Sequence, residues 1–516
     1  MIETHISYVL LTGSCAYKIK KAIRLPFLDF STLDARRKFC ECELALNRRF
    51  APALYLDVVP ITGSAEAPAV GGAAAAIEYA VKMREFPQDA LLSQVLARGD
   101  LNDGHIDALA AHLAAFHRDA AVAPAGSTHG DPRGIIEIVL ANFSDIAPPL
   151  LTPPDRAAVA ALEVWTRREY VARVEDLARR QANGAIRECH GDLHLANIVL
   201  IDGEPTLFDG IEFNDAMRWI DVMSEIAFTV MDLEHRGAPG LAHRLLSGYL
   251  ERTGDYAGCA VLRFYLVYRA MVRAKVAYLR AEQLADGDAR SAALDEFRAY
   301  LARATAYAAG ESTRMLMVMH GASGCGKSWL SQRLVECVGA VRIRTDVERK
   351  RLAGLAPEAR SESALASGLY APEATRRVYD HALARAGAVV GGGFVALVDA
   401  AFLQRWQRQL AREHAHRDRA GFLLVECVAS MATLLARVSA RTKTGGDVSE
   451  AGLAVLEHQL ANADPLDSDE RGETIACDTE DPQVVANACR AVNEHIGVAA
   501  PSPAGGLATQ NFSAPA

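Results

Sequence analysis

The chain contains 516 residues, of which 50% are hydrophobic and 23% are charged, and its formal net charge at pH 7 is −9. This composition is typical of folded protein rather than of a disordered chain, and the length exceeds one domain of about 100–200 residues. Because an acidic chain does not attract phosphates or anionic lipids over a distance, we expect neither nucleic acid nor a membrane as a partner.

No apolar run reaches the roughly 20 residues that a transmembrane helix needs. The start, Met1-Ile2-Glu3-Thr4-His5, lacks the basic and apolar regions of a signal peptide. We therefore expect a cytoplasmic protein. The ten cysteines are scattered along the chain, several of them in apolar strand-like runs, and we expect them to be reduced and mostly buried.

The first third of the chain is predicted to form a small sheet-rich lobe, followed by a helical lobe. The strands nearest the start flank Gly13-Ser14, which is a plausible hairpin turn. The elements predicted in this region are strands at 5–12 and 15–21, a helix at 32–47, strands at 54–61 and 77–84, and a helix at 105–120.

The helical lobe is predicted to continue to about residue 308, with one hairpin inside it. Residues 216–234 and 259–284 carry apolar side chains at helical spacing, so each is predicted to form one core-facing helix. Residues 309–313 have the composition of a linker. We therefore place a first domain at 1–308.

After the linker, strands and helices alternate. The predicted strands are 315–319, 341–344, 394–398, 422–427 and 474–477. This alternation predicts a parallel sheet with helices on both faces, as in P-loop proteins. We place this second, α/β domain at 309–498. The tail at 499–516 is rich in Pro, Ala, Gly and Ser, so we expect it to be disordered.

The segment Gly321-Ala322-Ser323-Gly324-Cys325-Gly326-Lys327-Ser328 follows the first of these strands and opens a predicted helix at 327–337. Its glycines allow several backbone N–H groups to converge on one phosphate, and the helix N-terminus adds its dipole. Lys327 is expected to pair with the β- and γ-phosphates of ATP, and Ser328 to hold Mg²⁺.

Two acids, Asp346 and Asp399, lie at the ends of later strands of the second domain. Ligands bind at the carboxyl ends of the strands in open parallel sheets, so Asp399 is a candidate to order the water shell of Mg²⁺ or to assist proton removal. The alternative for each acid is a helix N-cap, since helical segments follow both.

Arg437 and Arg441 lie on a predicted helix at 431–441. They are candidates to close over the transferring phosphoryl group, and the alternative is that they are ordinary solvated arginines. The segment 344–349, together with Asp399 and these arginines, resembles the polynucleotide-kinase and small-molecule kinase branch of P-loop proteins. In that branch the first acid, here Asp346, activates the substrate hydroxyl.

The hairpin of the first domain is built around an Asp-Gly turn at 202–203. Pairing Ile201 with Thr206 would place Asn197 and Asp209 side by side at its open end, so that two oxygen ligands converge on one Mg²⁺. Asp192, five residues before Asn197, is placed to accept the proton of a substrate hydroxyl. The alternative is an ordinary polar hairpin.

The run His190-Gly191-Asp192 and the later Asn197 and Asp209 resemble the aminoglycoside phosphotransferase family, whose catalytic loop reads His-Gly-Asp-x-x-x-x-Asn. The resemblance covers roughly residues 1–305 and implies a kinase-like fold with two lobes. It makes Asp192 the catalytic base and Asn197 and Asp209 the Mg²⁺ ligands. It supplies no aminoglycoside substrate.

The same resemblance implies a phosphate-binding lysine in the small lobe. Lys18 and Lys20 share one face of a strand, and either fits; Lys18 is our choice, with Glu43 on the following helix as its partner. Because this strand lies so near the chain start, we expect the first strand and the nucleotide-covering loop to be short or absent.

The order of the two halves resembles a bacterial family in which an aminoglycoside phosphotransferase-like domain is fused to an ATP-binding P-loop domain of the AAA, zeta-toxin or polynucleotide-kinase type. The likeness includes residues 4–7, 17–21, 27–30 and 46–49. The leading hypothesis is a bifunctional phosphotransferase that moves the γ-phosphate of ATP, with Mg²⁺, to hydroxyl groups of small molecules.

Two other hypotheses remain open. The first is a regulatory ATP-binding protein, whose first half is a pseudokinase that holds a ligand and whose second half binds or slowly hydrolyses ATP. The second is phosphorylation of nucleic-acid ends by the second half, suggested by Arg344, Arg349, Lys350 and Arg351 near Asp346. The acidic net charge argues against that second function.

Overall fold

The computed structural model describes residues 1–25, 28–146, 148–310, 314–355, 371–444 and 452–497. Contacts between residues divide the chain into two units. The first unit contains residues 1–238 and 261–309, and the second unit contains residues 239–260 and the chain from residue 310 onward. Linker residues 311–313, the predicted tail at 499–516, Phe27 and the side chain of Arg441 lie outside the described parts.

The first unit opens with an antiparallel sheet, which confirms the predicted sheet-rich lobe. Its strands lie in the order β1-β2-β3-β8-β6-β7, and α1 packs against β6 and β8. The elements of this lobe are β1 (Ile2–Glu3), β2 (Ser7–Leu11), β3 (Cys15–Lys20), β4 (Arg24–Leu25), β5 (Leu28–Asp29), α1 (Leu33–Asn47), β6 (Tyr55–Gly63), β7 (Pro68–Val70) and β8 (Glu78–Arg84).

A helical lobe follows, which confirms the predicted kinase-like fold class of this unit. The elements after the sheet, of which α8 belongs to the second unit, are α2 (Leu92–Ala97), α3 (Asp103–Asp119), α4 (Pro132–Ser144), α5 (Pro153–Ala182), β9 (Ile186–Glu188), β10 (Ile198–Ile201), β11 (Glu204–Leu207), α6 (Asp215–Arg218), β12 (Trp219–Asp221), α7 (Val222–His235), α8 (Pro239–Thr253), α9 (Cys259–Gln283) and α10 (Asp288–Ala309).

The prediction of one helix at 216–234 was wrong. Strand β12 separates α6 from α7 and pairs antiparallel with β9. The cause is local, because the Asp221 carboxylate accepts a hydrogen bond from the Met223 N–H at 2.8 Å and so starts a new helix. The same carboxylate binds the Arg180 guanidinium through both oxygens, at 2.6 and 2.7 Å. Asp221 is therefore structural.

The predicted register of the β10–β11 hairpin was also wrong. Ile201 pairs with Glu204 rather than with Thr206, because Asp202 and Gly203 alone form the turn, with φ of 52° and 84°. Two central residues with positive φ are typical of the type I′ turns that match the twist of a hairpin. Asn197 precedes β10 and accepts a hydrogen bond from the Phe208 N–H at 3.0 Å.

The second unit contains a five-stranded parallel sheet in the order β14-β15-β13-β16-β17, which confirms the predicted P-loop architecture. Its elements after α8 are β13 (Met315–His320), α11 (Lys327–Val338), β14 (Val341–Arg344), α12 (Thr345–Leu352), α13 (Pro372–Gly391), β15 (Val395–Asp399), α14 (Arg405–Arg417), β16 (Gly421–Val428), α15 (Met431–Thr444), α16 (Leu453–Ala461), α17 (Ser468–Gly472), β17 (Thr474–Asp478) and α18 (Val484–His495).

Helix α8 packs against α11 and β14 and belongs to the second unit, although the sequence placed it before a single boundary at 308. Arg244 pairs with Glu336 at 2.6 Å, and the Ser247 hydroxyl oxygen accepts a hydrogen bond from the Arg342 N–H at 3.1 Å. An amphipathic pattern shows that a helix buries one face but does not show which partner covers it.

Cys337 at the end of α11 and Cys489 in α18 form a disulfide, so the expectation of reduced cysteines was wrong for these two. The other eight cysteines, all within the described residues, are thiols outside any disulfide. The partners are 152 residues apart in the chain, a pairing that spacing alone does not predict. Among the described helices, none combines the length and the apolar composition needed to cross a bilayer.

Candidate active sites

Two buried lysines of the small lobe meet three acids. Lys18 and Lys20 lie on the buried face of β3, because side chains two residues apart in a strand point the same way. Lys18 Nζ is 2.8 Å from Glu43 Oε1 and also contacts the Asp209 carboxylate. Lys20 Nζ is 2.7 Å from Glu43 Oε2 and also contacts Glu212. The structure thus brings together both predicted lysines, Glu43 and Asp209.

The charge state of Glu43 follows from its two partners. Burial alone would raise the pKa of the carboxyl, but the ammonium groups of Lys18 and Lys20 outweigh it and lower the pKa of Glu43 to about 2. Burial likewise opposes the charged form of Lys18, and Asp209 and Glu43 reverse that effect and raise its pKa. Glu43 and Lys18 are therefore both charged at neutral pH.

Glu212 is a site residue that sequence reasoning missed. It is buried and contacts Lys20, just as Asp209 contacts Lys18. Two features of the sequence could have indicated it. Glu212 is a second acid three residues after Asp209, and Lys20 is a second lysine to which no partner had been assigned.

Asp209 has an unusual backbone conformation, with a φ of 64° that few residues other than glycine adopt. Its N–H donates to the Tyr55 hydroxyl at 2.9 Å, and the N–H of Gly210 donates to Asn47 Oδ1 at 2.8 Å. Two side chains of the small lobe therefore hold this turn in place. Such conformations occur where a site requires a particular carboxylate direction.

The loop after β9 carries Asp192 and Asn197. Asn197 Nδ2 donates to the Asp192 carbonyl at 2.8 Å and to Asp192 Oδ2 at 3.1 Å, so the structure joins these two predicted residues directly. The Asp192 side chain is 38% exposed, and His194 Nε2 lies 3.5 Å from Oδ2. Burial opposes ionisation, but His194 outweighs it and holds the pKa of Asp192 below its usual range.

Glu225 of α7 fixes the backbone of this loop. Its two oxygens accept hydrogen bonds from the N–H groups of His190 at 3.0 Å and Gly191 at 2.7 Å, and His117 Nε2 lies 3.1 Å from Oε1. Burial would raise the pKa of Glu225, but the bond to His117 and the bonds from the loop lower it to about 2. Sequence reasoning assigned no role to Glu225 or His117.

His117, Glu225 and the buried Cys189 also form a group whose ligand-type atoms lie within 4.8 Å of one another. Both Glu225 oxygens, however, already bind the loop N–H groups. We therefore interpret the group as a brace for the loop. His190 supports the loop as well, since its Nε2 lies 2.7 Å from the Phe208 carbonyl oxygen.

In the second unit, the P-loop has the backbone that its glycines predict. Gly321, Gly324 and Gly326 have φ of 141°, 87° and 90°. A Cβ atom on Gly324 would lie 2.8 Å from the Leu434 carbonyl oxygen, so glycine is required there. Lys327 begins α11, and its Nζ donates to the Ala322 carbonyl at 2.8 Å. The lysine side chain thus folds back over the P-loop.

Asp399 ends β15 and is buried beside α11. The Ser331 hydroxyl donates to Asp399 Oδ2 at 3.1 Å, and the Thr345 hydroxyl donates to the Asp399 carbonyl at 3.3 Å. The N-cap interpretation of Asp399 was wrong, because the next helix, α14, begins after Gln404.

Asp346 lies in the first turn of α12, whose N-cap is Arg344, so the N-cap interpretation was wrong here too. Asp346 lies close to the buried Tyr379: burial, with a smaller contribution from the charge of Asp346, raises the pKa of that phenol to about 12. Strand pairing places Arg344 opposite Asp399. Both predicted acids therefore lie at the same edge of the sheet.

Arg437 lies against the P-loop, with Nη1 2.9 Å from the Thr479 hydroxyl and 3.4 Å from the Gly324 carbonyl oxygen. Sequence reasoning missed Gln459 of α16, whose Oε1 accepts a hydrogen bond from the Ser323 N–H at 2.8 Å. Nothing near Gln459 in the sequence marks it, because the contact spans 136 residues.

Comparison with known proteins agrees with this division. An AAA-domain family model matches residues 316–466, which include the P-loop, Asp346, Asp399 and Arg437. The protein Rv2004c of Mycobacterium tuberculosis is 32% identical over 463 residues, with 90% of each chain covered. The chain belongs to the same family as Rv2004c. Because the aligned length exceeds that of either unit, the relationship to the Rv2004c family spans both units.

Solved structures match parts of the chain. A choline/ethanolamine kinase family protein from Mesorhizobium loti is 12% identical and covers 58% of this chain and 88% of its own, with a TM-score of 0.36. A gluconokinase from Sinorhizobium meliloti is 21% identical and covers 36% of this chain and 95% of its own, with a TM-score of 0.26. Because both TM-scores are low, site assignments in this member of the Rv2004c family rest on its own geometry.

Proposed function

We propose that this protein is a phosphotransferase with two ATP sites, each of which moves the γ-phosphate of ATP to a hydroxyl group of a small molecule. The observation that carries the proposal is the contact of Lys18 with both Glu43 and Asp209, which are 25 and 191 residues away in the chain. A cation oriented by a buried acid, beside a metal-ligand candidate and near a base, is the arrangement that phosphoryl transfer requires.

In the first unit, each residue has a chemical role in the proposed reaction. Lys18, oriented by Glu43, binds a phosphate of ATP. The acceptor hydroxyl oxygen forms a bond to the γ-phosphorus, the bond from that phosphorus to the bridging oxygen breaks, and ADP leaves. Asp192 accepts the hydroxyl proton, and its ionised state and partial exposure suit that role.

Asn197 and Asp209 would hold Mg²⁺ in this site, since an amide and a carboxylate oxygen are ligands of the kind that Mg²⁺ takes. The ion would neutralise the charge of the phosphates. Lys18 contacts Asp209 directly. Binding of nucleotide and Mg²⁺ would therefore replace part of this contact.

In the second unit, the P-loop N–H groups and Lys327 bind the phosphates of a second ATP, and Ser328 would hold Mg²⁺. Asp399 and Asp346 lie at the edge of the sheet where an acceptor hydroxyl would enter, so either can accept its proton. The bonds formed and broken are those of the first reaction. Arg437, beside Gly324, is placed to stabilise the transferring group.

One observation favours the regulatory alternative for the first unit. Only residues 4–6 join β1 to β2, so this connection is too short to fold over a nucleotide as the glycine-rich loop of a kinase does. A pseudokinase that binds a ligand without transferring phosphate would fit this feature. The ordered contacts among Lys18, Glu43 and Asp209 favour the active form.

Two of the four basic residues that suggested phosphorylation of nucleic-acid ends, Arg344 and Arg351, have acidic partners within the second unit. Arg344 Nη1 lies 3.5 Å from Glu251 Oε1, and Arg351 pairs with Glu348 and also donates to the Glu251 carbonyl. Since these arginines neutralise acids of their own unit, they give no specific support to that function.

Single and double variants of the full chain test the proposal. Asp192→Asn should abolish transfer by the first unit and Lys327→Ala transfer by the second, each with a loss of about a hundredfold or more, and the double variant should consume no ATP. The measurement is transfer of labelled phosphate from ATP to a panel of small alcohols, sugars and hydroxy acids.

The control for this test is Asp202→Asn, which changes an exposed carboxylate in the β10–β11 turn, 84% exposed, and should leave transfer unchanged. ATP consumption by the double variant would contradict the proposal. Magnesium-dependent ATP binding to the first site without any Asp192-dependent transfer would favour the pseudokinase alternative.

A further inference from the structure

Helix α9 runs past the loop that carries Asp192 and presents two arginines to it. Arg269 Nη1 donates to the Gly191 carbonyl at 3.2 Å, and its Nε donates to the Ser224 carbonyl at 3.1 Å. Arg273 is four residues farther along, so its side chain lies on the same face about 6 Å along the helix axis. Arg269 is held by the loop, and Arg273 lies one turn farther along α9.

Arg273 has weak partners. Its Nε lies 3.4 Å from the Tyr300 hydroxyl, and its Nη2 lies 3.8 Å from Glu296 Oε1. The phenol is neutral, since burial raises the pKa of Tyr300, and the Glu296 side chain is 37% exposed, so solvent screens this long ion pair. A guanidinium has five N–H donors, and these two partners occupy few of them.

Other arginines of this lobe are bound more tightly. Arg236 Nε donates to the buried Asp232 at 3.0 Å, and Arg180 binds Asp221 through two short hydrogen bonds. Arg273, by contrast, is 22% exposed and lacks a close carboxylate partner among the residues that the structure describes. This is how an arginine that binds a ligand differs from one that stabilises the fold.

Arg273 lies one helical turn beyond Arg269, which donates to the carbonyl of Gly191, the residue before Asp192. The positive charge of Arg273 attracts the Asp192 carboxylate. An acceptor whose hydroxyl approaches Asp192 therefore lies close to a guanidinium. A cationic acceptor would be repelled there, whereas a carboxylate or phosphate would be attracted.

We propose that the acceptor of the first unit is an anionic alcohol, carrying a carboxylate or a phosphate near the reacting hydroxyl, and that Arg273 binds this anionic group. The inference rests on the proposed function, because it takes Asp192 as the place where the hydroxyl reacts. Arg273 counters the repulsion between Asp192 and the acceptor anion, and its planar group binds carboxylate and phosphate oxygens in pairs.

The test uses the full chain carrying Lys327→Ala, so that only the first site transfers phosphate. Four acceptors of similar size are compared, namely glycerate, glycerol 3-phosphate, neutral glycerol and cationic ethanolamine. We expect transfer to one or both anions. Arg273→Gln should raise KM for the anion about tenfold or more, with kcat and the KM for ATP changed less than about twofold.

Two further variants separate binding from folding. Arg273→Lys keeps the charge and should restore part of the affinity for the anion. Arg298→Gln removes a half-buried arginine of α10, whose side chain is 40% exposed, and should change neither constant. Phosphorylation of glycerol or ethanolamine but of neither anion would overturn the inference, as would an equal KM change for glycerol and the anions in Arg273→Gln.

A binding measurement distinguishes failure of this inference from failure of the proposed function. Calorimetry with glycerate and glycerol 3-phosphate is performed on the chain saturated with a non-hydrolysable ATP analogue. Anion binding that Arg273→Gln abolishes, without any transfer, would support the anion site and contradict the phosphotransferase. Transfer to a neutral acceptor without anion binding would do the reverse, and absence of both would overturn both.

Discussion

Glu43 is fully buried between the ammonium groups of Lys18 and Lys20, and each of its oxygens accepts a hydrogen bond from one of them. Buried ion pairs gain little over apolar packing when complete, but removing one partner leaves an uncompensated charge in a medium that solvates it poorly. Both lysines share this one carboxylate, and each has one further acid, Asp209 for Lys18 and Glu212 for Lys20. The stability of the small lobe therefore depends on the charge of Glu43.

Glu43→Gln should lower the free energy of unfolding by about 3–5 kcal/mol, because it removes the charge that offsets the burial of two lysines. Urea unfolding followed by circular dichroism measures the change. Glu41→Gln is the matched control: Glu41 lies on the same helix, is 54% exposed and pairs with Arg37, so the change should stay within about 0.5 kcal/mol. Equal losses in the two variants would contradict this account of the cluster.

At the scale of elements, Glu225 joins α7 to the loop that carries Asp192. Its pKa of about 2 in the folded protein lies below the ordinary value of 4.5. As the pH falls from about 4.5 to about 2, the unfolded chain takes up the proton first, so the folded state loses up to about 3 kcal/mol of stability. That contribution is fully present above pH 4.5.

The predicted consequence is a shallower acid dependence in Glu225→Gln. The variant cannot titrate at this position, so its free energy of unfolding should fall less between about pH 5 and pH 3 than that of the unaltered protein. Urea unfolding across this range measures the slope. An unchanged slope would show that the Glu225 carboxylate does not stabilise the loop, and Glu41→Gln again provides the comparison.

Local patterns predicted most elements, since hydrophobic alternation and glycine spacing act over a few residues. The strands of the parallel sheet and the P-loop were predicted from such patterns. The hairpin register was not, because Asp202 and Gly203 decide it through a two-residue turn that shifts the pairing from Thr206 to Glu204. The break before α7 was missed because a single cap, Asp221, creates it.

Long-range pairings were beyond local patterns. Lys18, Glu43, Asp192 and Asp209 were predicted as site residues because they match a known catalytic loop and its lysine. Glu212 was missed, since its importance depends on a contact with Lys20 that spans 192 residues. A sequence shows which residue types are available, whereas only the folded chain shows which of them meet.

At the scale of the whole molecule, the division into units determines how the protein can be cut. A fragment that begins at residue 310 lacks α8, whose buried Leu245, Leu246 and Leu250 belong to the second unit. Burial of a leucine side chain contributes about 1.5–3 kcal/mol, so the fragment should be destabilised by about 5 kcal/mol or more. Thermal unfolding with and without Mg–ATP measures the loss.

A fragment in which residues 239–260 precede residues 310–497 through a flexible linker should recover both stability and ATP binding. The same fragment with the order of residues 239–260 scrambled controls for length and composition. Equal melting temperatures for the fragments with and without α8 would show that this helix is not needed by the second unit.

The position of α8 in the chain also affects the order of events on the ribosome. Strand β14, against which α8 packs, is translated roughly 90 residues after the end of the helix, a delay of several seconds at about 5–20 residues per second. During that time β14 is not yet available to pack against the leucines of α8. Chaperones that bind apolar helices should therefore engage the nascent chain in this interval, before the second half of the protein emerges.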